Sequence, residues 1–315
     1  MAAYVGLATQ QWQNNFRSLL LVVLFPFLIV GLTYLGIVAF VYFGFEDRSI
    51  YSASTVNEMF MSVAPVVFGG VLVWFVVAYF INSYIIENAT QARPLTRKEN
   101  MRVYNLVENL CMSTGMRMPK VNVIEDPALN AYASGLSDKT YTVTLTRGII
   151  DRLNDDELEG VIAHELAHIR NRDVRLLIIS IVFVGIFTMI AQIGFRSVLF
   201  GGGRSRDNKG SGMVLLIIVM VIAAIGYLLS MLMRFAISRK REYLADAAAA
   251  EMTKKPQALA SALRKISGNP NLSKPAPDDV AQLFIEHTPS KKMAFTSLFA
   301  THPPIKKRIQ VLEQF

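Results

Sequence analysis

His164-Glu165-Leu166-Ala167-His168 carries two imidazoles at i and i+4 with a carboxyl group between them. On an α-helix those two positions share a face, so both rings aim at one point about a turn apart. Neutral imidazole nitrogens suit Zn²⁺, which takes nitrogen ligands at about 2.0–2.1 Å and, for catalysis, needs a third protein ligand plus an open position. Glu165 then sits beside the metal and is placed to take a proton from water. The spacing predicts metal-dependent hydrolysis. The plain alternative is a helix with two surface histidines. It is weakened because the chain has 4 histidines in all and half fall here, amid apolar residues where unliganded charge is costly.

The elements that must position these groups follow from local pattern. Asn154 followed by Glu157 is an N-cap pattern, and Leu158, Val161, Ile162 and Leu166 keep helical spacing, so the pentapeptide lies inside a helix. A third ligand has to come from elsewhere. Glu242 and Asp246 are one helical turn apart. Glu242 can ligate while Asp246 accepts a hydrogen bond from a ligating imidazole and fixes its tautomer. Taken alone they are ordinary solvated acids on a helix ahead of Lys254. Beside His164 and His168 they complete a site, provided both helices lie on one side of a membrane.

That proviso comes from composition. The 315 residues are 52% hydrophobic and 18% charged, with a mean hydropathy of +0.36, whereas soluble chains average about 25% charged residues. Intrinsic disorder, a secreted disulfide scaffold and a purely soluble enzyme are excluded. The single cysteine, Cys111, forms no internal disulfide and supplies no multi-cysteine metal site. Four stretches lack Asp, Glu, Lys and Arg: Ser18–Phe45, Met59–Ile86, Leu176–Phe195 and Gly210–Met233. A spanning helix needs about 20 mostly apolar residues; the third stretch only just qualifies. The leader Met1–Phe16 has no charged side chain, which is unlike a cleaved signal peptide, and the first stretch reads as a retained span.

Charge bias orients the bundle. Glu46, Asp47, Arg48 and Glu58 make the first loop acidic, while Arg93, Arg97, Lys98 and Arg102 follow the second stretch and Arg239, Lys240 and Arg241 follow the fourth. Residues 87–175 and 236–315 are therefore expected on the cytoplasmic side. Cations flanking membrane segments account for much of the net charge of +8, and no nucleic-acid motif accompanies them. The loop with Arg196, Arg204, Arg206 and Lys209 against Asp207 breaks the rule locally or marks a shallow hairpin. Either way the chain returns to the side it left.

The expected organisation is a leader with two transmembrane helices (1–86), the first half of a cytoplasmic domain that holds the HExxH helix (87–175), a hydrophobic helical hairpin (176–235) and the second half of that domain with the third ligand (236–315). Thr96–Met112 reads as a helix, with Thr96 as cap, Glu99 completing a capping box, and Leu106 and Leu110 at helical spacing. Val121–Glu125 and Tyr141–Thr146 read as strands, the latter alternating Tyr141, Val143 and Leu145 with threonines. Asn130–Gly135 is small and uncharged, and reads equally as a loop or as an edge strand open to another backbone. Asn269–Asp279, with Pro270, Pro275 and Pro277, reads as a surface linker.

Two N-terminal spans, the small-residue segment from Asn130, the HExxH helix, a hydrophobic pair, Glu242-x-x-x-Asp246 and Thr301-His302-Pro303-Pro304 together resemble the HtpX-type integral-membrane zinc metalloproteases of the gluzincin class. The resemblance covers most of the chain. It implies a mainly α fold with a small β-sheet, in which multi-pass membrane helices carry a zincin-like cytoplasmic protease domain. It implies one Zn²⁺ held by His164, His168 and Glu242, with Glu165 as base and Asp246 behind the ligands. Asn130, Ala131, Tyr132, Ala133 and Ser134 would line the cleft and align a substrate strand. His302 and Arg308 resemble the family's His-Pro…Arg pair, which reaches the site and steadies an oxyanion. Read without the resemblance, a His before two prolines is a turn, and Lys306 and Lys307 adjoin Arg308. His287 matches no family position and reads as surface.

The implied activity is endoproteolysis of misfolded or damaged membrane proteins at the cytoplasmic face of the cell inner membrane, as stress response and quality control, with protein substrates and the bilayer as partners and no nucleic acid. A prenyl-protein-processing protease would enclose a chamber with more spans. A silent chaperone or scaffold would be expected to have lost a ligand or the base, and His164, Glu165, His168 and Glu242 are all present. The long uncharged leader and the glycine-rich basic loop Gly201–Gly212 depart from the family pattern. A movable segment at Pro275–Ser297 is a candidate cover for the cleft.

Overall fold

The computed structural model describes residues 7–44, 52–200, 214, 217–226, 228, 240–286 and 303–315. The chain divides into two compact units, one of Met1–Ser18, Ile81–Ile178 and Phe235–Phe315, the other of Leu19–Phe80 and Ile179–Arg234.

Among the described residues, four helices run through the second unit: α1 (Leu7–Gly44), α2 (Ala53–Thr90), α6 (Asp173–Phe200) and the short apolar α7 (Ile217–Gly226). Among the described residues, two segments, Gln11–Phe43 and Ala53–Thr90, are long and apolar enough to cross a membrane. The core helix of a soluble protein would be mostly buried, yet only 6% of the apolar window in Ala53–Thr90 is buried. Large side chains such as Phe27, Val66 and Phe80 point outward, as lipid-facing residues do. Inside the unit Phe25 stacks on Phe183 with centroids 3.9 Å apart, and Ile37, Val41 and Val56 form a second buried cluster. Leu176–Phe195 lies within α6; of the fourth stretch, α7 is described and most of the rest lies outside the described residues, as do the loop cations Arg204, Arg206 and Lys209.

The first unit holds a four-stranded sheet, β1 (Arg93–Pro94), β2 (Lys120–Ile124), β3 (Ala131–Ser134) and β4 (Thr142–Thr146), in the order β1-β2-β4-β3. β2 and β4 are parallel, with Val121 opposite Val143, and β3 is antiparallel to β4, with Ala133 opposite Val143. The segment left open between loop and edge strand is thus an edge strand. Gly135, at φ +104°, turns the chain after it; a Cβ there would meet the Thr140 carbonyl. Tyr141, Val143 and Leu145 do alternate with threonines, and all five residues of β4 are buried. The threonine side is used by the chain itself: the Thr146 hydroxyl donates to the Ala128 carbonyl at 2.6 Å and accepts from Asn130 N at 3.0 Å.

The helix expected from Thr96 starts later. Thr96 and Glu99 do exchange reciprocal bonds, at 3.1 and 3.3 Å, but these close a separate turn. Asn100, at φ −148°, breaks the run and caps α3 (Met101–Thr114) by accepting from Val103 N. Short α4 (Arg147–Arg152) then leads into α5 (Asp155–Arg170). There the Asn154–Glu157 capping box forms with both bonds, and Leu158, Val161, Ile162 and Leu166 are fully buried. Around α5 pack α8 (Lys240–Thr253), α9 (Pro256–Ile266), α3 and β3. Gly160 lets α9 approach closely, since a Cβ there would stand 3.2 Å from Leu259. The chain closes with α10 (Asp278–Ala281) and α11 (Ile305–Leu312). The stretch read as a linker is tied down: Leu129 N donates to Asn269 O at 2.7 Å and Ser273 N to Asp126 at 2.8 Å.

Candidate active site

Helix α5 turns both histidines toward α8. Their Nε2 atoms are 3.1 Å apart. Glu242 enters from α8 with one carboxylate oxygen 3.7 Å from His164 Nε2 and the other 3.6 Å from His168 Nε2. Among the described residues these three form a group able to hold a metal ion. Each imidazole is backed by its own carboxylate. His164 Nδ1 lies 3.0 Å from Asp246 and His168 Nδ1 lies 3.2 Å from Asp173. An Nδ1–H donated to a carboxylate leaves the Nε2 lone pair free for a metal. Asp246 was legible from its spacing to Glu242; Asp173 was missed. The available signal was an acid heading an apolar run five residues beyond His168.

Arg308, on α11, is fully buried. Its guanidinium grips Asp246 with two bonds, at 2.9 and 2.7 Å. Its Nη1 lies 3.4 Å from Glu242 and donates to the Ile285 carbonyl at 3.3 Å. Burial alone would raise the Asp246 carboxyl; Arg308 overrides it, and the carboxyl is held down to about 2. Burial and Arg308 both oppose charging His164, yet Asp246 and Glu242 outweigh them and lift it to about 9. The cluster draws positive charge toward His164, the electrostatic setting a metal cation needs. Burial raises Glu165, which is 2% exposed, while His164 and His168 pull it back.

A small open cavity beside this cluster is lined by Glu165, His168, Glu242, Ala133 and Leu283 among others. Of the five residues expected along the cleft, Ala133 is the one on this lining. Asn130 is turned to the tail, its amide donating to the Pro270 and Glu286 carbonyls at 2.7 and 2.6 Å. The Tyr132 ring is buried and its hydroxyl lies 2.9 Å from that of Thr90. The outer edge of β3 carries part of the chain's own tail: Tyr132 pairs antiparallel with Phe284, and Ile285 N donates to Ala131 O at 2.9 Å. That tail belongs to Pro275–Ser297, whose residues from 287 on lie outside the described ones, as do His287 and His302. Pro303 and Pro304 lead directly into α11.

The profile of Peptidase family M48 matches residues 97–315. A Protease HtpX homolog of Bacteroides fragilis (strain ATCC 25285) is 61% identical over 321 aligned positions, covering 99% of each chain. One from Streptococcus uberis is 39% identical over 237 positions, covering 74% of this chain and 80% of its own. Among solved structures, the crystal structure of S. mikatae Ste24p has a TM-score of 0.46 at 19% identity, covering 77% of this chain and 57% of that one. With a matched family profile that begins ahead of the HExxH helix and runs through α11, and a relative 61% identical across 99% of both chains, the chain belongs to peptidase family M48, as a membrane metalloprotease of the HtpX type.

Proposed function

We propose that this chain is a multi-pass zinc metalloendopeptidase of the cell inner membrane whose active site faces the cytoplasm, and that it cuts misfolded or damaged membrane proteins. Residues 87–175 and 236–315 form one protease domain, preceded by a leader and two membrane helices (1–86) and interrupted by a hydrophobic hairpin (176–235). The observation that carries the reading is the convergence of His164, His168 and Glu242. Ligand atoms of a tetrahedral ion with bonds of about 2.0–2.1 Å stand about 3.3 Å apart; the two Nε2 atoms, 3.1 Å apart, are close to that spacing, and the Glu242 carboxylate turns one oxygen to each ring at 3.7 and 3.6 Å. Two nitrogens and a carboxylate oxygen favour zinc over calcium or magnesium, which take oxygen sets.

When bound, zinc acidifies water and polarises a carbonyl. Glu165 takes the proton of the attacking water and delivers it to the leaving amine. Burial raises this carboxyl, which suits a group that must both accept and release a proton. Arg308, with His302, is assigned to the developing oxyanion. Its Nη1 now holds the Ile285 carbonyl and would exchange it for that of the substrate. Asn130–Ser134 align the substrate through backbone, since Asn130 and Tyr132 commit their side chains elsewhere. The tail's antiparallel pairing on β3 supports this, because it is how an extended substrate would add to the edge.

The test compares detergent-purified wild type with Glu165→Gln for zinc content and casein cleavage. One zinc in each, with cleavage reduced about 10²–10⁴-fold in the variant, is expected. Wild-type cleavage by Glu165→Gln would remove the base from the mechanism, and absence of zinc from both would overturn the metal assignment.

A further inference from the structure

His168 is held on its far side by one carboxylate, and that carboxylate is held by the leader. Asp173 is the first residue of α6 and is 3% exposed. One of its oxygens faces His168 Nδ1 at 3.2 Å. The other accepts from the Asn14 amide at 2.7 Å, across 159 residues of sequence. Asn14 is itself buried, and its amide also donates to the Asn171 carbonyl at 2.9 Å. Arg241, the residue before Glu242, lies on the same group, with Nη1 3.3 Å from the Asp173 carbonyl and 3.7 Å from its carboxylate. One turn before Asn14, Gln11 donates to the Arg170 carbonyl at 2.7 Å. It touches the same α5–α6 corner without reaching Asp173.

The chemistry of these contacts is directional. A neutral amide bonded to one carboxylate oxygen fixes the plane of the group without cancelling its charge, so the second oxygen stays aimed at the imidazole. With Nδ1–H donated there, the His168 ring is locked with Nε2 toward His164 and Glu242. Without Asn14 the buried carboxylate loses a donor and is free to rotate toward Arg241. We infer that Asn14 is a positioning residue of the metal centre, acting through Asp173 to orient His168, so that this one side chain of α1 serves the peptidase site. The uncharged leader, unexplained by sequence, thereby has a task that calls for an amide and not a charge.

This inference rests on the proposal that His168 binds zinc, and the experiment separates the two. Zinc affinity is measured by chelator competition on the full-length protein in detergent, together with the visible absorption of the Co²⁺-substituted form. Wild type and His168→Ala test the metal site: tight binding by the first and its loss in the second uphold the zinc reading, and no binding by wild type overturns it along with this inference. Asn14→Ala is expected to weaken zinc about 10-fold or more, the effect typical of such supporting groups, and to alter the Co²⁺ spectrum. kcat should fall while KM stays within about twofold of wild type, since the substrate edge is untouched. Gln11→Ala should bind zinc within about twofold of wild type. The near-isosteric Asn14→Asp, which packs alike but sets a second carboxylate against Asp173, should weaken zinc at least as much and decides the matter if Asn14→Ala does not fold. Wild-type affinity and spectrum in a folded Asn14 variant, or equal losses in the Asn14 and Gln11 variants, would reduce Asn14 to a docking contact and overturn the inference.

Discussion

Two arginine–carboxylate pairs in the sheet-bearing unit have nearly the same geometry. Arg147 meets Glu125 with two bonds, at 3.0 and 2.8 Å, and Arg308 meets Asp246 with two, at 2.9 and 2.7 Å. Surroundings separate them. The Glu125 side chain is 49% exposed and shared with Arg93, while Arg308 and Asp246 are 0% and 1% exposed. An exposed pair of this kind contributes about 0–1 kcal/mol, because water competes for both partners. A buried pair repays its desolvation at best partly, yet breaking it by removing one partner costs about 3–5 kcal/mol. Bond lengths therefore say little about what a pair is worth. A buried cluster that an apolar core would replace at no loss marks a place kept for chemistry.

The largest expected effect comes from breaking the buried pair on one side only. Arg308→Met leaves Asp246 and Glu242 uncompensated, and stability should fall by about 3–5 kcal/mol, seen as a large drop in the thermal midpoint in detergent and accompanied by loss of casein cleavage. A midpoint near that of wild type would mean that the cluster is as solvated as Glu125.

A smaller effect tests what Arg308 does besides holding Asp246. It also carries the Ile285 carbonyl, so the tail on β3 and the buried cluster are coupled. Ile285→Pro removes the N–H donated to Ala131, a bond worth about 1 kcal/mol. If the tail covers the substrate edge, basal cleavage should rise about fivefold. Unchanged or lower activity, measured alongside zinc content, would show that the tail does not compete with substrate.

The smallest effect is on the exposed side. Arg147, joined by Arg93, holds the Glu125 carboxyl down to about 2 against an ordinary value of 4.5. A depressed carboxyl stabilises the fold fully above its unfolded pKa and loses that contribution as pH falls from about 4.5 toward 2. Because Glu125 is half-exposed, the amount is under about 1 kcal/mol. Glu125→Gln should therefore lower the thermal midpoint slightly at pH 7, less in high salt, and by a shrinking margin as the pH is brought down to about 3. A large shift at neutral pH would erase the contrast with Arg308.

How much of this was legible in advance depended on distance along the chain. The capping box at Asn154, the shared face of His164 and His168 and the one-turn spacing of Glu242 and Asp246 are helix-local relations, set by residues within four positions of one another. The apolar stretches were legible because lipid demands length and lack of charge, which composition alone reports. The β4 alternation was visible too, but its meaning was not: whether Thr142, Thr144 and Thr146 face water depends on what packs against them, and here all are buried.

Sequence by itself thus determined the shared face of His164 and His168, the one-turn pairing of Glu242 with Asp246 and the membrane character, because these rest on residue chemistry and local periodicity. Tertiary structure alone decided that β3 is an edge strand whose outer side carries the chain's own tail, that Arg308 spends its fork on Asp246, and that His168 is steadied through Asp173 by Asn14. Each of these joins groups separated by 62 residues or more, apart from the short His168–Asp173 link, and that link gains its partner from 159 residues away. A pattern read along the chain reaches only neighbours; which distant donor meets a buried carboxylate is settled by packing, which leaves few buried polar groups without a partner.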